Sequence, residues 1–187
     1  MAQVLKNPAY IKKWSSETFS VKASTSAKPE FIDKLHYAAW IGDRTMTETL
    51  VSNHWGTTNS ADGWTALHSA VWNMHIEVVK YLLKFGSWKA WQHKKDDAYS
   101  LLHFAVLNHD QETLQLLLDA KADVNFVGTA GRTPLHEAII CGNVEAAEAL
   151  LMAGADKQSL DSSAHPPLFY ASGIRDVLVR SELIELF

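Results

Sequence analysis

Nine histidines and one cysteine are the residues of this 187-residue chain with the most obvious capacity for metal binding or nucleophilic chemistry. Their spacing argues against both. There is no His-Glu-x-x-His pattern and no cysteine pair, so the usual ligand sets of a zinc site are missing. Cys141 lies near His136, but no third group stands where it would orient such a pair for attack. Gly128-Thr129-Ala130-Gly131 has no strand before it and reads as a hairpin rather than a phosphate loop. Carboxylates are scattered at solvent positions, with no pair set apart by apolar surroundings. The expectation is no enzyme, no cofactor, no metal and no small-molecule substrate; a weaker alternative puts chemistry on the unusual loop Trp88 to Asp97. In that loop Lys89, Lys94 and Lys95 accompany Trp88 and Trp91, an interleaving that can hold single strands. Asp96 and Asp97 follow at once and the chain is net -4, so no nucleic acid partner is expected.

The histidines are instead periodic. Leu-His occurs at Leu35-His36, Leu67-His68, Leu102-His103 and Leu135-His136, and a fifth copy, Leu168-Phe169, lacks the histidine. Successive leucines are 32, 35, 33 and 33 residues apart. Three residues after each comes alanine (Ala38, Ala70, Ala105, Ala138, Ala171). Fifteen and sixteen after it comes an aliphatic pair: Leu50-Val51, Leu82-Leu83, Leu117-Leu118, Leu150-Leu151 and Leu183-Ile184. Leucine and alanine at i and i+3 share a helix face, where the small alanine lets a neighbouring helix approach. Val78-Val79-Leu82-Leu83 and Leu114-Leu117-Leu118 are apolar stripes at helical spacing. Thr65, Ser100 and Thr133 stand where a hydroxyl caps the first helix of each unit, and Pro134 where a helix tolerates proline. Gly42 and Gly142 are placed to end first helices, and Gly86 and Gly154 second helices.

On Thr133-Pro134-Leu135-His136-Glu137-Ala138, Thr65-Ala66-Leu67-His68-Ser69-Ala70, Ala122-Asp123-Val124-Asn125 and Gly154-Ala155-Asp156, the chain resembles the ankyrin repeat family. The resemblance implies an all-α solenoid: about five stacked helix-turn-helix repeats with projecting hairpin loops, over residues 31–187, the first and last degenerate. Residues 1–30 precede it as an N-terminal extension, in which Tyr10, Ile11 and Trp14 are expected to cap the first repeat. The repeated Leu35, His36, Leu67, His68, Leu102, His103, Leu135 and His136 are expected to be structural, the histidines bonding neighbouring backbone.

Hydrophobic content of 47% with 20% charged residues fits a globular chain. No apolar run approaches the ~20 residues of a membrane span, and Lys6, Lys12 and Lys13 interrupt any secretory core at the N-terminus. No membrane association is expected, and a single cysteine suits a reducing, cytoplasmic setting, the chain's own or a host cell's. Charge is uneven: residues 1–95 carry 12 basic against 7 acidic residues, and residues 96–187 carry 5 against 14. All seven tryptophans lie in the first half.

The resemblance implies a concave surface lined by positions five and six after each leucine: Trp40-Ile41, Trp72-Asn73, Leu107-Asn108, Ile140-Cys141 and Gly173-Ile174. Three before the leucine, at the hairpin base, stand Trp64, Tyr99, Arg132 and His165. Tryptophan, tyrosine and arginine dominate binding hot spots. The expected partner-binding residues are Trp40, Trp64, Trp72, Trp88, Trp91, Tyr99, Leu107 and Arg132, the aromatic ones forming one patch. The function expected is to bind another protein and inhibit or neutralise it; the alternative is a secreted microbial or viral effector that redirects a host protein. Self-association stays open. Asn125 matches the pattern around asparagines hydroxylated in eukaryotic members of the family, so it is an expected modification site.

Overall fold

The computed structural model describes residues 32–52, 65–85 and 99–187. The expectations for residues 1–30, Trp64, Gly86, Trp88, Trp91 and the loop to Asp97 lie outside the described residues. The described chain is helical: α1 Ile32–Ile41, α2 Arg44–Ser52, α3 Ala66–Trp72, α4 Ile76–Phe85, α5 Leu101–Leu107, α6 Gln111–Asp119, α7 Pro134–Cys141, α8 Val144–Met152 and α9 Val177–Glu185. The helices pair as α1/α2, α3/α4, α5/α6 and α7/α8, and each pair packs on the next. In the fifth unit the first helix is a 3-10 segment, Pro167–Gly173. Pro166-Pro167 begins it, and proline offers no N–H to a helical ladder.

The core follows the register. Leu35, Leu67, Leu102 and Leu135 are buried, as are Ala38, Ala70, Ala105, Ala138 and Ala171. So are Val78, Val79, Leu82, Leu114, Leu117, Leu150 and Leu183. Thr47, which breaks the aliphatic pattern, is buried with its hydroxyl donating to the Asp43 carbonyl at 2.8 Å. Each first helix ends in a left-handed residue seven positions after the leucine: Gly42 (φ 76°), Met74 (φ 57°), His109 (φ 53°) and Gly142 (φ 65°). Glycine makes that conformation cheap, and the two side-chain-bearing residues adopt it at a cost of ~1 kcal/mol each.

The histidines tie the stack together. The backbone N–H of Ser100 donates to His103 Nδ1 at 3.1 Å, and that of Thr133 to His136 Nδ1 at 3.1 Å. Nδ1 is therefore the acceptor and the ring proton sits on Nε2. From there His103 donates to the Arg132 carbonyl (3.1 Å) and His136 to the His165 carbonyl (3.2 Å), each in the following repeat. Thr65 holds His68 Nδ1 in the same way. Burial pushes His103 down to about 4 and also lowers His136, which fits rings used as neutral bridges.

Two hairpins lie within the described residues. In the first, the Gly128 N–H donates to the Arg132 carbonyl at 2.7 Å; in the second, the Asp161 N–H donates to the His165 carbonyl at 3.0 Å. The second packs on the first through the Ser162 N–H and the Ala130 carbonyl (2.9 Å). A Cβ on Gly131 would lie 2.6 Å from that Ser162 nitrogen, so only glycine permits the approach.

Candidate functional site

Burial at equal repeat positions separates the surfaces of the stack. The residue two after the leucine is buried in repeats two, three and four (Ser69, Phe104, Glu137), so it faces a neighbouring repeat. The residue five after it stays partly open: Trp72, Leu107 and Ile140, with repeats on both sides, are half-buried, and Trp40 in the first repeat is 40% exposed. These side chains form a row left partly open to solvent in four successive repeats.

The backbone under the row is fixed from the next repeat. His75 Nε2 bonds the Trp40 carbonyl at 2.8 Å. Asn108 Nδ2 donates to the carbonyls of Val71 (3.2 Å) and Trp72 (3.1 Å), and Asn143 Nδ2 to that of Val106 (3.3 Å). Carbonyls at a helix C-terminus lack intrahelical donors; here a side chain of the following repeat supplies them. Trp72 also sets its ring edge-on to Phe104, centroids 5.2 Å apart. The result is a row of large apolar groups on a rigid support.

Two expected members of the patch sit elsewhere. Tyr99 is only 7% exposed; it packs against Phe104 and donates its hydroxyl to Glu137 Oε1 at 3.3 Å. It belongs to the contact between repeats three and four and is not a free binding ring. Arg132 stacks on Tyr170, its guanidinium carbon 5.1 Å from the ring centroid, and stands 3.6 Å from Glu137. It is partly exposed but largely committed to repeat five. The reason is positional: in repeats three and four the residue three before the leucine faces the residue two after the next leucine, so Tyr99 meets Glu137 and Arg132 meets Tyr170. The signal missed in the sequence was Glu137 itself, an acid on a stacking face, which calls for donors from adjacent repeats. Burial raises the Glu137 carboxyl, with Arg132 and Tyr99 pulling the other way.

Tyr170 in turn donates its hydroxyl to Asp161. Asp161 Oδ1 also accepts from the Ser163 and His165 N–H groups. Burial opposes its charge, but these bonds outweigh it and hold the carboxyl down at about 2. Cys141 is half-buried, and burial pushes its thiol up to about 11, which leaves no thiolate near neutral pH. Among the described residues no three His, Cys, Asp or Glu side chains gather to hold a metal. None of the described helices is long and apolar enough to cross a membrane. Asn125 is exposed, yet its Oδ1 accepts from the Asp156 N–H at 2.8 Å and its amide lies 3.4 Å from the Gly154 carbonyl. It bridges two repeats.

A family model of ankyrin repeats (3 copies) matches residues 32–88 and 87–161. The chain is 36% identical over 88 residues to human NF-kappa-B inhibitor alpha, a match covering 45% of this chain and 27% of that protein. It is 30% identical over 125 residues to the putative ankyrin repeat protein FPV022 of fowlpox virus, covering 67% of this chain and 21% of the relative. With the putative ankyrin repeat protein FPV223 of the same virus it shares 32% over 112 residues, 59% of this chain and 76% of the relative. The matches thus span about a quarter of the length of the first two of these relatives.

Proposed function

The chain belongs to the ankyrin repeat family, whose repeats are protein-interaction modules, and from that premise we propose that it binds a partner protein in its first-helix groove and inhibits it by occupying its surface. The observation that carries this is the row Trp40, Trp72, Leu107 and Ile140: large apolar side chains, left partly open in successive repeats, on a backbone held by cross-repeat hydrogen bonds. Rigid aromatic anchors are what a stoichiometric binder needs, since little entropy is lost on docking them. The role needs no catalysis, cofactor or metal, and it suits a cytoplasmic location.

The similarity to NF-kappa-B inhibitor alpha makes NF-kappa-B the first partner to test. The full chain and its Trp40→Ala variant are titrated into purified NF-kappa-B by calorimetry. Binding that the substitution weakens by tenfold or more, about 1.4 kcal/mol, supports the reading. Equal binding by both proteins moves the site off the groove; no binding by either removes NF-kappa-B, and capture from cell extract then names the partner.

The two fowlpox relatives favour a second reading, an effector that redirects a host protein. The two readings differ in the fate of the captured protein. An inhibitor leaves its partner's half-life unchanged inside the cell, whereas a redirecting effector shortens it or moves the partner. A translocation assay with and without residues 1–30 tests whether those residues carry an export signal.

A further inference from the structure

The outer side of the second helices changes character between repeats three and four. Residues ten, thirteen and seventeen after each leucine share one exposed helix face. In repeat two they are Glu77, Lys80 and Lys84, and in repeat three Glu112, Gln115 and Asp119, polar at every place. Ion pairs run along this face: Glu77 meets Arg44 (2.9 Å) and Lys80 (3.3 Å), and Lys80 meets Glu112 (2.7 Å). There the ladder stops. Gln115 stands in register with Lys80, but it bonds Asp119 at 2.8 Å.

Beyond that point the face turns apolar in two places. In α8 the three positions are Glu145, Glu148 and Met152; in α9 they are Leu178, Ser181 and Glu185, with Glu182 beside Ser181. Met152 is 83% and Leu178 75% exposed, the two most exposed large apolar side chains among the described residues. Neither is needed to fill the core, and the repeats before them place charged or polar groups there. Among the described residues no ion pair reaches Glu145, Glu148, Glu182 or Glu185, and Arg180, the one cation on these two helices, is half-buried.

The register gives the surface its shape. α8 and α9 pack side by side, with Met152 at the end of one and Leu178 near the start of the other. Seven register positions are ~10 Å of helix rise, and packed helix axes lie ~10 Å apart. Leu178 and Met152 thus mark a diagonal of ~14 Å, about two to three turns of a helix laid across them. Glu148 lies on one side of that line and Glu182 on the other. An apolar line flanked by uncompensated carboxylates is the complement of an apolar helix stripe bordered by cations.

We propose that the outer face of α8 and α9 is a second docking surface, which takes a basic amphipathic helix of another protein. It is independent of the row from Trp40 to Ile140, which lies on the first helices. The test titrates the full chain into a labelled synthetic amphipathic helix of leucine and lysine, read by fluorescence anisotropy. Met152→Ser/Leu178→Ser should weaken binding about tenfold or more with an unchanged circular dichroism spectrum, since both side chains are exposed. Glu148→Lys/Glu182→Lys should do the same, and Trp40→Ala should change nothing. No saturable binding overturns the proposal. So does a loss confined to the charge reversal, which would mean attraction without a seat for the apolar stripe. A loss in Trp40→Ala also overturns it, by placing the helix on the first-helix row.

Discussion

The neutral histidine bridges make the stack sensitive to acid in a calculable way. His103 is fully buried, with Nδ1 accepting from Ser100 and Nε2 donating to Arg132. A second proton must go on Nδ1, where it would face the Ser100 N–H and break the cap. The ring therefore stays neutral until the pH reaches about 4, against 6.5 for an exposed histidine. As pH falls through 6.5 the unfolded chain takes up a proton that the folded chain refuses. Stability is thus full above 6.5, is lost progressively toward 4, and gains no further slope from this group below that. The gap between about 4 and 6.5 corresponds to roughly 3–4 kcal/mol at ~1.4 kcal/mol per pH unit, a large part of the ~5–15 kcal/mol that holds most domains together. His136 is shifted the same way by burial and adds to the slope. Urea unfolding followed by circular dichroism between about pH 7.5 and about pH 5 reads the effect, in a window above most carboxylate titrations. His103→Gln should start less stable and lose stability less steeply, by up to ~1.4 kcal/mol per pH unit. Equal slopes for variant and wild type would refute the neutral-bridge account, as would nitrogen shifts placing the His103 proton on Nδ1.

Trp40→Ala should leave stability within about 0.5 kcal/mol while weakening partner capture. Trp72→Ala should weaken capture and also cost about 1–2 kcal/mol, because its ring edge meets Phe104; denaturation and binding measured together separate the two effects. Leu135→Ala, at a fully buried site, should cost about 2–5 kcal/mol by opening a cavity, read as an earlier unfolding midpoint. His109→Gly should raise stability by about 0.5–1 kcal/mol by relieving a left-handed residue at φ 53°. Gly42→Ala should lower it, since the added Cβ would meet the His75 ring at 2.6 Å and disturb its bond to the Trp40 carbonyl.

The leucine, histidine and alanine register was legible in the sequence because each residue type there answers one local demand: burial, a bridging ring, close helix approach. The caps Thr65, Ser100 and Thr133 were legible for the same reason. Side-chain direction at the hairpin base was not. Tyr99 and Arg132 share a position with Trp64 and His165, and spacing alone assigns all four to one surface. What turns Tyr99 and Arg132 toward the stack is Glu137 and Tyr170 in the following repeats, a relation between residues 38 positions apart. The cross-repeat donors were hidden likewise: His75 and Asn143 stand eight after their leucines and Asn108 six after its own, and their acceptors are backbone carbonyls, which carry no sequence signal. In repeat five the proline pair marked a departure, and its outcome, a 3-10 segment in place of an α-helix, depends on where the missing N–H falls.

These commitments restrict how the proposed first-helix row would recognise a partner. Asn108 and His75 are bonded to first-helix carbonyls, Tyr99 and Arg132 to Glu137 and Tyr170. The ion pairs Arg44–Glu77 and Lys80–Glu112 run across the second helices, away from the row. What the row offers is Trp40, Trp72, Leu107 and Ile140, a surface without charge. Association through it should be driven by apolar burial and depend weakly on salt: raising ionic strength from ~0.05 to ~0.5 M should change Kd by less than about threefold, because only interactions between charges are screened. Titration calorimetry at the two salt concentrations, once the partner is in hand, checks this. A loss of tenfold or more would mean that charged groups dominate, and would move the binding site from the first-helix row toward the lysines flanking Trp88 and Trp91.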